Sequence, residues 1–279
     1  YAKGDVATAD GEAYAAVGQS TGAVPAQSPA VWAPIASKAI PRLSPQQIAR
    51  QAWWLDPSRP ATVTVGAGAA AAAFDGANLW VANYFGDTVS KVNRRTNTVT
   101  ATVPVGNGPY FVTYDGTSIW VANNNTNTLS KINPKTNAVT ATVTVGDTPR
   151  GLAFTGTHLW VANFTSATLS KVDPTTNTVV ATVPVPDQPQ NVVFDGTSIW
   201  VPNSANKLER RNAATGAVTA TVNLVGEGRY VAFDGAFVWV SMSGADQVAK
   251  VDPVSATVKA NITVGSGPAG LAFTGKLLW

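Results

Sequence analysis

Three features of the sequence predict an all-β protein, a propeller built from four-stranded blades. The stretch "LWVANYFGDTVSKVNRRTNTVTATVPVG" from Leu79 returns forty residues later as "IWVANNNTNTLSKINPKTNAVTATVTVG". Trp80, Trp120, Trp160, Trp200, Trp239 and Trp279 fall in one column of a forty-residue repeat, with a single one-residue slip before Trp239. Each row also holds four short β-type runs separated by Gly, Pro, Asn and Asp. A fixed period of this length marks an array of one supersecondary unit, and four antiparallel strands per period is the blade of a β-propeller.

Within the row that starts at Pro109, the four runs are "YFVTY" (110–114), "SIWVAN" (118–123), "TLSKIN" (128–133) and "AVTATVTV" (138–145). The breaks "DGT", "NNTN", "PKTN" and "GDTP" are clusters of the residues that end strands. Val and Thr alternate in the fourth run, as a half-buried strand requires. The Trp column lies on the second strand and is expected to fill the space between neighbouring blades. Asp75, Asp115, Asp195 and Asp234, in or near "FDG" corners, are expected to cap the turn from first to second strand. Asn97, Asn137 and Asn177 are expected to form the turn from third to fourth.

The propeller is expected over 61–279. It begins with a lone fourth strand at "ATVTVG" from Ala61, continues through five complete rows, and stops inside a second strand at Trp279. Six blades are visible on this count, six or seven in all. The Ala61 strand is expected to close the ring, and the chain is expected to continue beyond Trp279.

The row "LWVANYFGDTVSKVNRRTNTVTATVPVGNGP" resembles the YVTN-type propeller repeats of secreted and cell-surface proteins, and more distantly the virginiamycin B lyase family. The lyase resemblance implies a catalytic His and a Mg²⁺ site in the funnel. The only His, His158, lies in "TGTHLW", a turn between first and second strands on the face away from that funnel. His-centred general-base chemistry is therefore not expected, and neither a catalytic residue nor a cofactor is assigned.

In a propeller the loops from fourth to first strand and from second to third gather at one face around the central channel. Two variable columns fall there: Ala70, Tyr110, Arg150, Gln190, Tyr230 and Ala269, and then Tyr84, Asn124, Phe164 and Ser204. Aromatic and polar variation inside a monotonous repeat is where a ligand surface is built. The expected binding residues are accordingly Tyr84, Tyr110, Arg150, Phe164, Gln190 and Tyr230. Asp147, Asp187 and Glu227 recur in three consecutive loops and are the weak candidates for an oxygen-ligand metal site.

Composition narrows the partners. The formal charge is +3, from 19 Lys plus Arg against 16 Asp plus Glu, with no basic run to track a phosphate backbone, so nucleic acid is not expected. No apolar stretch of about 18 residues exists to span a membrane. With no Cys, disulfides and thiolate metal sites are excluded.

The first 36 residues form a separate small β module by composition, with strands around 5–9 and 12–17, a turn at "ADGE", and a Pro-containing arm ending at Trp32. A linker over 37–60 carries a short helix that Ser44 caps and Pro45 opens. Tyr1, Gly4-Asp5-Val6, Gly11, Tyr14-Ala15-Ala16, Pro25 and Trp32 resemble the pattern of small chitin-binding-type carbohydrate modules, whose relatives are frequent in phage tail fibres. Tyr1, Tyr14 and Trp32 are the carbohydrate-module residues and are expected to form most of its small core, while "VGQS" at 17–20 replaces part of the aromatic platform on which such modules stack sugars, so the module is expected either to bind sugar or to serve as a connector.

The expected function is non-enzymatic: a phage tail, fibre or virion-surface protein, part of an oligomeric assembly, that contacts host cell-surface glycans or neighbouring subunits. The alternatives are an extracellular propeller adhesin and a secreted propeller enzyme of lyase or lactonase type.

Overall fold

The computed structural model describes residues 62–273 and 278 in full, and the backbone of three earlier strands at 6–9, 12–16 and 32–34. The chain divides into two compact units, Tyr1–Ser44 and Pro45–Trp279. All regular structure among the described residues is β.

The first unit holds a three-stranded antiparallel sheet of β1 (Val6–Ala9), β2 (Glu12–Ala16) and β3 (Trp32–Pro34). Ala9 lies opposite Glu12, the register that a tight turn at "ADGE" predicts. The expected arm leading to Trp32 lies outside the described residues, and Trp32 itself begins a strand. This third strand, with Trp32 opposite Ala16, runs back along β2. Tyr14 lies in β2 opposite Ala7 and Pro34. The side chains of this unit, Tyr1, and the linker with its expected helix lie outside the described residues.

The second unit contains five four-stranded antiparallel blades, each in the simple strand order of the sequence. Blade 1 is β4 (Ala69–Phe74), β5 (Asn78–Asn83), β6 (Thr88–Asn93) and β7 (Thr98–Pro104). Blade 2 is β8 (Pro109–Tyr114), β9 (Ile119–Asn123), β10 (Thr128–Ile132) and β11 (Val139–Thr144). Blade 3 is β12 (Pro149–Phe154), β13 (Leu159–Asn163), β14 (Thr168–Asp173) and β15 (Thr178–Pro184). Blade 4 is β16 (Val193–Phe194), β17 (Ser198–Pro202), β18 (Lys207–Asn212) and β19 (Val218–Asn223). Blade 5 is β20 (Gly228–Phe233), β21 (Val238–Met242), β22 (Gln247–Asp252) and β23 (Thr257–Thr263). First strands of consecutive blades pack side by side and line the channel, while the fourth strands are largely exposed. The sixth blade is present among the described residues only as a bridge between Phe273 and Leu278. Thr62–Val65, expected to close the ring, carry no strand assignment. Among the described residues the complete blades number five, the number of complete rows in the repeat.

The core lies between blades. Trp80 packs with Val112, Ile119 and Val121 of the next blade, Trp120 with Leu152, Leu159 and Val161, Trp160 with Ile199 and Val201, and Trp200 with Val231, Val238 and Val240. These four indoles are fully buried. Each lies beside a cation from the neighbouring strand, and the same cation stitches its blade to the next. Lys91 Nζ donates to Pro134 O at 2.6 Å, Lys131 Nζ to Pro174 O at 2.7 Å, and Lys171 Nζ to Ala214 O at 2.7 Å.

Candidate functional site

Local backbone irregularity builds the site. Along the first strands the ladder register jumps between Ala69 and Ala71, Pro109 and Phe111, Pro149 and Leu152, and Gly228 and Val231. A bulge leaves a residue unpaired and re-aims its side chain. The residues in these bulges include Tyr110 and Arg150, at the loop end of strands that line the channel. Blade 4 reaches the same point differently: its first strand shrinks to Val193–Phe194, Pro189 bridges Asn203, and Gln190 is buried between them.

These side chains meet. The Tyr230 hydroxyl of blade 5 donates to the Tyr110 hydroxyl of blade 2 at 3.2 Å, spanning the mouth of the channel. Tyr84 packs edge-on against Tyr110 with centroids 6.1 Å apart, and its hydroxyl donates to Asn125 Oδ1 at 3.3 Å. The Arg150 guanidinium sits 3.4 Å from the centre of the Phe164 ring and 6.0 Å from that of Tyr110. Arg150 Nη1 donates to Gln190 Oε1 at 2.5 Å, and Gln190 Nε2 donates to Glu227 Oε1 at 2.5 Å. All six residues singled out in the sequence thus belong to one connected cluster. Burial, and then the hydrogen bond with Tyr110, pushes the Tyr230 phenol far above its ordinary pKa, so it remains a hydrogen-bond donor. Burial lowers the pKa of the Arg150 guanidinium, and the nearby Arg229 acts in the same direction, but an arginine stays cationic at any ordinary pH.

The ladders correct one column. Thr113 pairs with Trp120 in blade 2 and Ala232 with Trp239 in blade 5, which makes Arg229, not Tyr230, the counterpart of Tyr110 and Arg150. The one-residue slip lies in the β17–β18 loop: Pro202 pairs with Leu208, where blade 2 pairs Ala122 with Leu129. Tyr230 still enters the cluster, from the position that Gly151 holds in blade 3. Arg229 was missed because the column was counted without the slip, a signal present in the sequence. Phe85 was missed as well; it is 78% exposed, lies edge-on to Tyr84 and stands where other rows carry Asn125 or Thr165.

The same shift dissolves the acidic triplet. Asp147 and Asp187 are equivalent, but the counterpart in the next loop is Gly226. Asp147 accepts from Asn127 Nδ2 at 2.8 Å, the Asp187 carbonyl accepts from Ser204 N at 2.9 Å, and Glu227 turns to Gln190. Among the described residues no three His, Asp or Glu side chains are grouped to hold a metal ion. Asp87 and Asp246 have similar structural work, accepting from Gly108 N and Gly267 N and so tying the two kinds of loop together.

The opposite face is architectural. Asp115 Oδ1 accepts from the backbone N of Thr117 and Ser118 at 2.7 and 2.6 Å, and its Oδ2 accepts the Trp120 indole N–H at 2.6 Å. Asp75, Asp195 and Asp234 repeat this with Trp80, Trp200 and Trp239. Asn97, Asn137 and Asn177 occupy the left-handed region that their turn requires, at φ 54, 59 and 59°. His158 Nδ1 lies 3.0 Å from Thr157 Oγ1 on this face. A groove of about 410 Å³ here is lined by Gly76, Ala77, Asn78, Asn93, Arg94 and Arg95, none of them a predicted site residue.

Comparison with known proteins agrees with the fold. Residues 49–162 match the model of a family described as YNCE-like beta-propeller. Among solved structures the chain is similar to Kuenenia stuttgartiensis hydrazine synthase, with a TM-score of 0.57 and 16% identity over 77% of this chain and 92% of that one. At that identity the likeness is one of fold. A search of the curated proteins finds no sequence match.

Proposed function

We propose that this β-propeller, of the YVTN type in its repeats, is a non-enzymatic recognition protein that binds a glycan at the channel mouth. The observation that carries the reading is the convergence of Tyr84, Tyr110, Phe164 and Tyr230 with Arg150 and Gln190 in one cluster. Aromatic faces for stacking beside fixed polar groups are what a sugar ring requires, and binding residues of this kind sit on loops held by a rigid scaffold. A phage tail, fibre or virion surface is the setting proposed from the resemblance of the N-terminal module, with an extracellular adhesin as the nearest alternative. The enzyme reading, of lyase or lactonase type, would rest on Glu227, the one carboxylate bonded into the cluster.

The test is a glycan array probed with the intact chain and with a variant carrying Tyr84→Ala, Tyr110→Ala, Phe164→Ala and Tyr230→Ala. The proposal expects specific glycan binding that this variant loses while keeping a cooperative melt. Tyr110→Phe with Tyr230→Phe, which removes only the hydroxyl pair, provides a milder second variant. An array with no hit, or a quadruple variant with undiminished binding, overturns the proposal. Turnover of a bound glycan that Glu227→Gln abolishes replaces it with the enzyme reading.

A further inference from the structure

We infer that the channel mouth is selective for an acidic saccharide, with Arg150 receiving the carboxylate of a sugar whose ring stacks on the neighbouring aromatic side chains. This rests on the glycan-binding reading and specifies its ligand. The first support is charge. Arg150 is half-buried, and a partly desolvated cation is ordinarily paired. Among the described residues the ion pairs are Arg211 with Glu209 and Lys259 with Asp252, and neither Arg150 nor Arg229 takes part in one. The carboxylate in the cluster, Glu227, is held by Gln190 rather than by Arg150. Within the cluster two arginines stand against one glutamate, while the carboxylates of Asp87, Asp147 and Asp246 on the surrounding loops are engaged by Asn107 and Gly108, by Asn127, and by Gly267.

The second support is geometry. A guanidinium lying on a ring face keeps its in-plane N–H groups for acceptors, and its fork matches a carboxylate with two parallel hydrogen bonds. Arg150 lies on Phe164 and spends Nη1 on Gln190, which fixes its orientation and leaves further N–H donors for a ligand. Gln190 is itself 8% exposed and tied at its other end to Glu227, so Arg150 is held before any ligand arrives. Tyr110, with Tyr84 beside it, lies within stacking reach of the same position. Burial of Arg150 strengthens any charge pairing made there, since screening by water is reduced.

The experiment is isothermal titration of the intact chain with two trisaccharides of equal length, one ending in glucuronic acid and one in glucose. The acid is expected to bind at least about tenfold more tightly, the scale of a hydrogen bond to a charged group. Arg150→Gln should bring the acid down to the level of the neutral sugar, and Arg150→Lys should restore only part of the gap. Raising ionic strength should weaken the acid and leave the neutral sugar unchanged. Equal binding of the two sugars by the wild type, or an acid preference that survives Arg150→Gln, overturns this inference while leaving glycan recognition standing. Binding of neither sugar, together with an empty array, sinks both.

Discussion

Replacing Asp115 by Ala should destabilise the propeller more than any exposed single substitution. Asp115 sits in a half-exposed corner but serves four donors: two backbone N–H groups at 2.7 and 2.6 Å, the exposed Thr117 hydroxyl at 2.8 Å, and the indole N–H of fully buried Trp120 at 2.6 Å. Stranding a buried N–H costs roughly 1–3 kcal/mol. The two backbone bonds, whose donors can turn to water, add about 0.5–1.5 kcal/mol each. The sum centres near about 4 kcal/mol, which for a domain of this size lowers the melting temperature by about 10 °C. Asp115→Asn separates the parts, since its carbonyl still caps the turn while its amide nitrogen faces the indole donor; about half the loss should remain. Blade 3 shows why the indole needs an acceptor. There Thr155 stands in place of the Asp, and Trp160 Nε1 donates to Ala213 O of the next blade at 3.0 Å. Differential scanning calorimetry of the two variants measures the effect. An Asp115→Ala melting temperature within about 2 °C of wild type would refute the reasoning.

Other outcomes follow from the same contacts. His158→Ala should leave glycan binding unchanged and stability within about 0.5 kcal/mol, because the half-exposed ring lies on the turn face with Nδ1 3.0 Å from Thr157 Oγ1; a large loss of any activity points to His chemistry. Backbone N–H groups of Thr175 and Val254 hold the half-exposed Asp173 and Asp252 carboxyls below their usual range. A lowered folded pKa stabilises above the unfolded value, near about 3.9, and that contribution fades as pH falls through the folded value. Asn93 and Asn133 cap the same turn without charge, so Asp173→Asn with Asp252→Asn should flatten the stability profile below about pH 4, as urea melts would reveal. An unchanged acid limb counts against the caps. Removing residues 1–44, a separate compact unit, should preserve both the cooperative melt of the propeller and its glycan binding. Loss of binding by that truncation moves recognition to the N-terminal module.

The repeat made most of the blades readable, because turn residues and alternation are local signals. The run "TLSKIN" predicts 128–133 and the strand is Thr128–Ile132; "AVTATVTV" predicts 138–145 and the strand is Val139–Thr144. The Trp and Asp columns were legible because each is a repeated partner of the other. What a column cannot convey is a contact between columns. That Tyr230 meets Tyr110 depends on a bulge and on the channel they share, and that Gln190 meets Glu227 joins loops 37 residues apart in sequence. The pair Glu209 and Arg211 was equally hidden: they occupy positions that blade 2 fills with Ser130 and Ile132, and pair at 2.6 Å in a buried setting. Arg211 also donates to Gly216 O and Pro184 O, so the substitution stays satisfied. The third strand of the N-terminal unit escaped because a Pro-containing arm shows no alternation to distinguish strand from extended loop.

The most direct measurement is a crystal structure of the intact chain with the tightest-binding oligosaccharide from the array. The account predicts a sugar ring against Tyr110 and Tyr84 with its acidic group on Arg150. A sugar bound only to the turn face around Asp115 and His158, or only to the N-terminal unit, would contradict it.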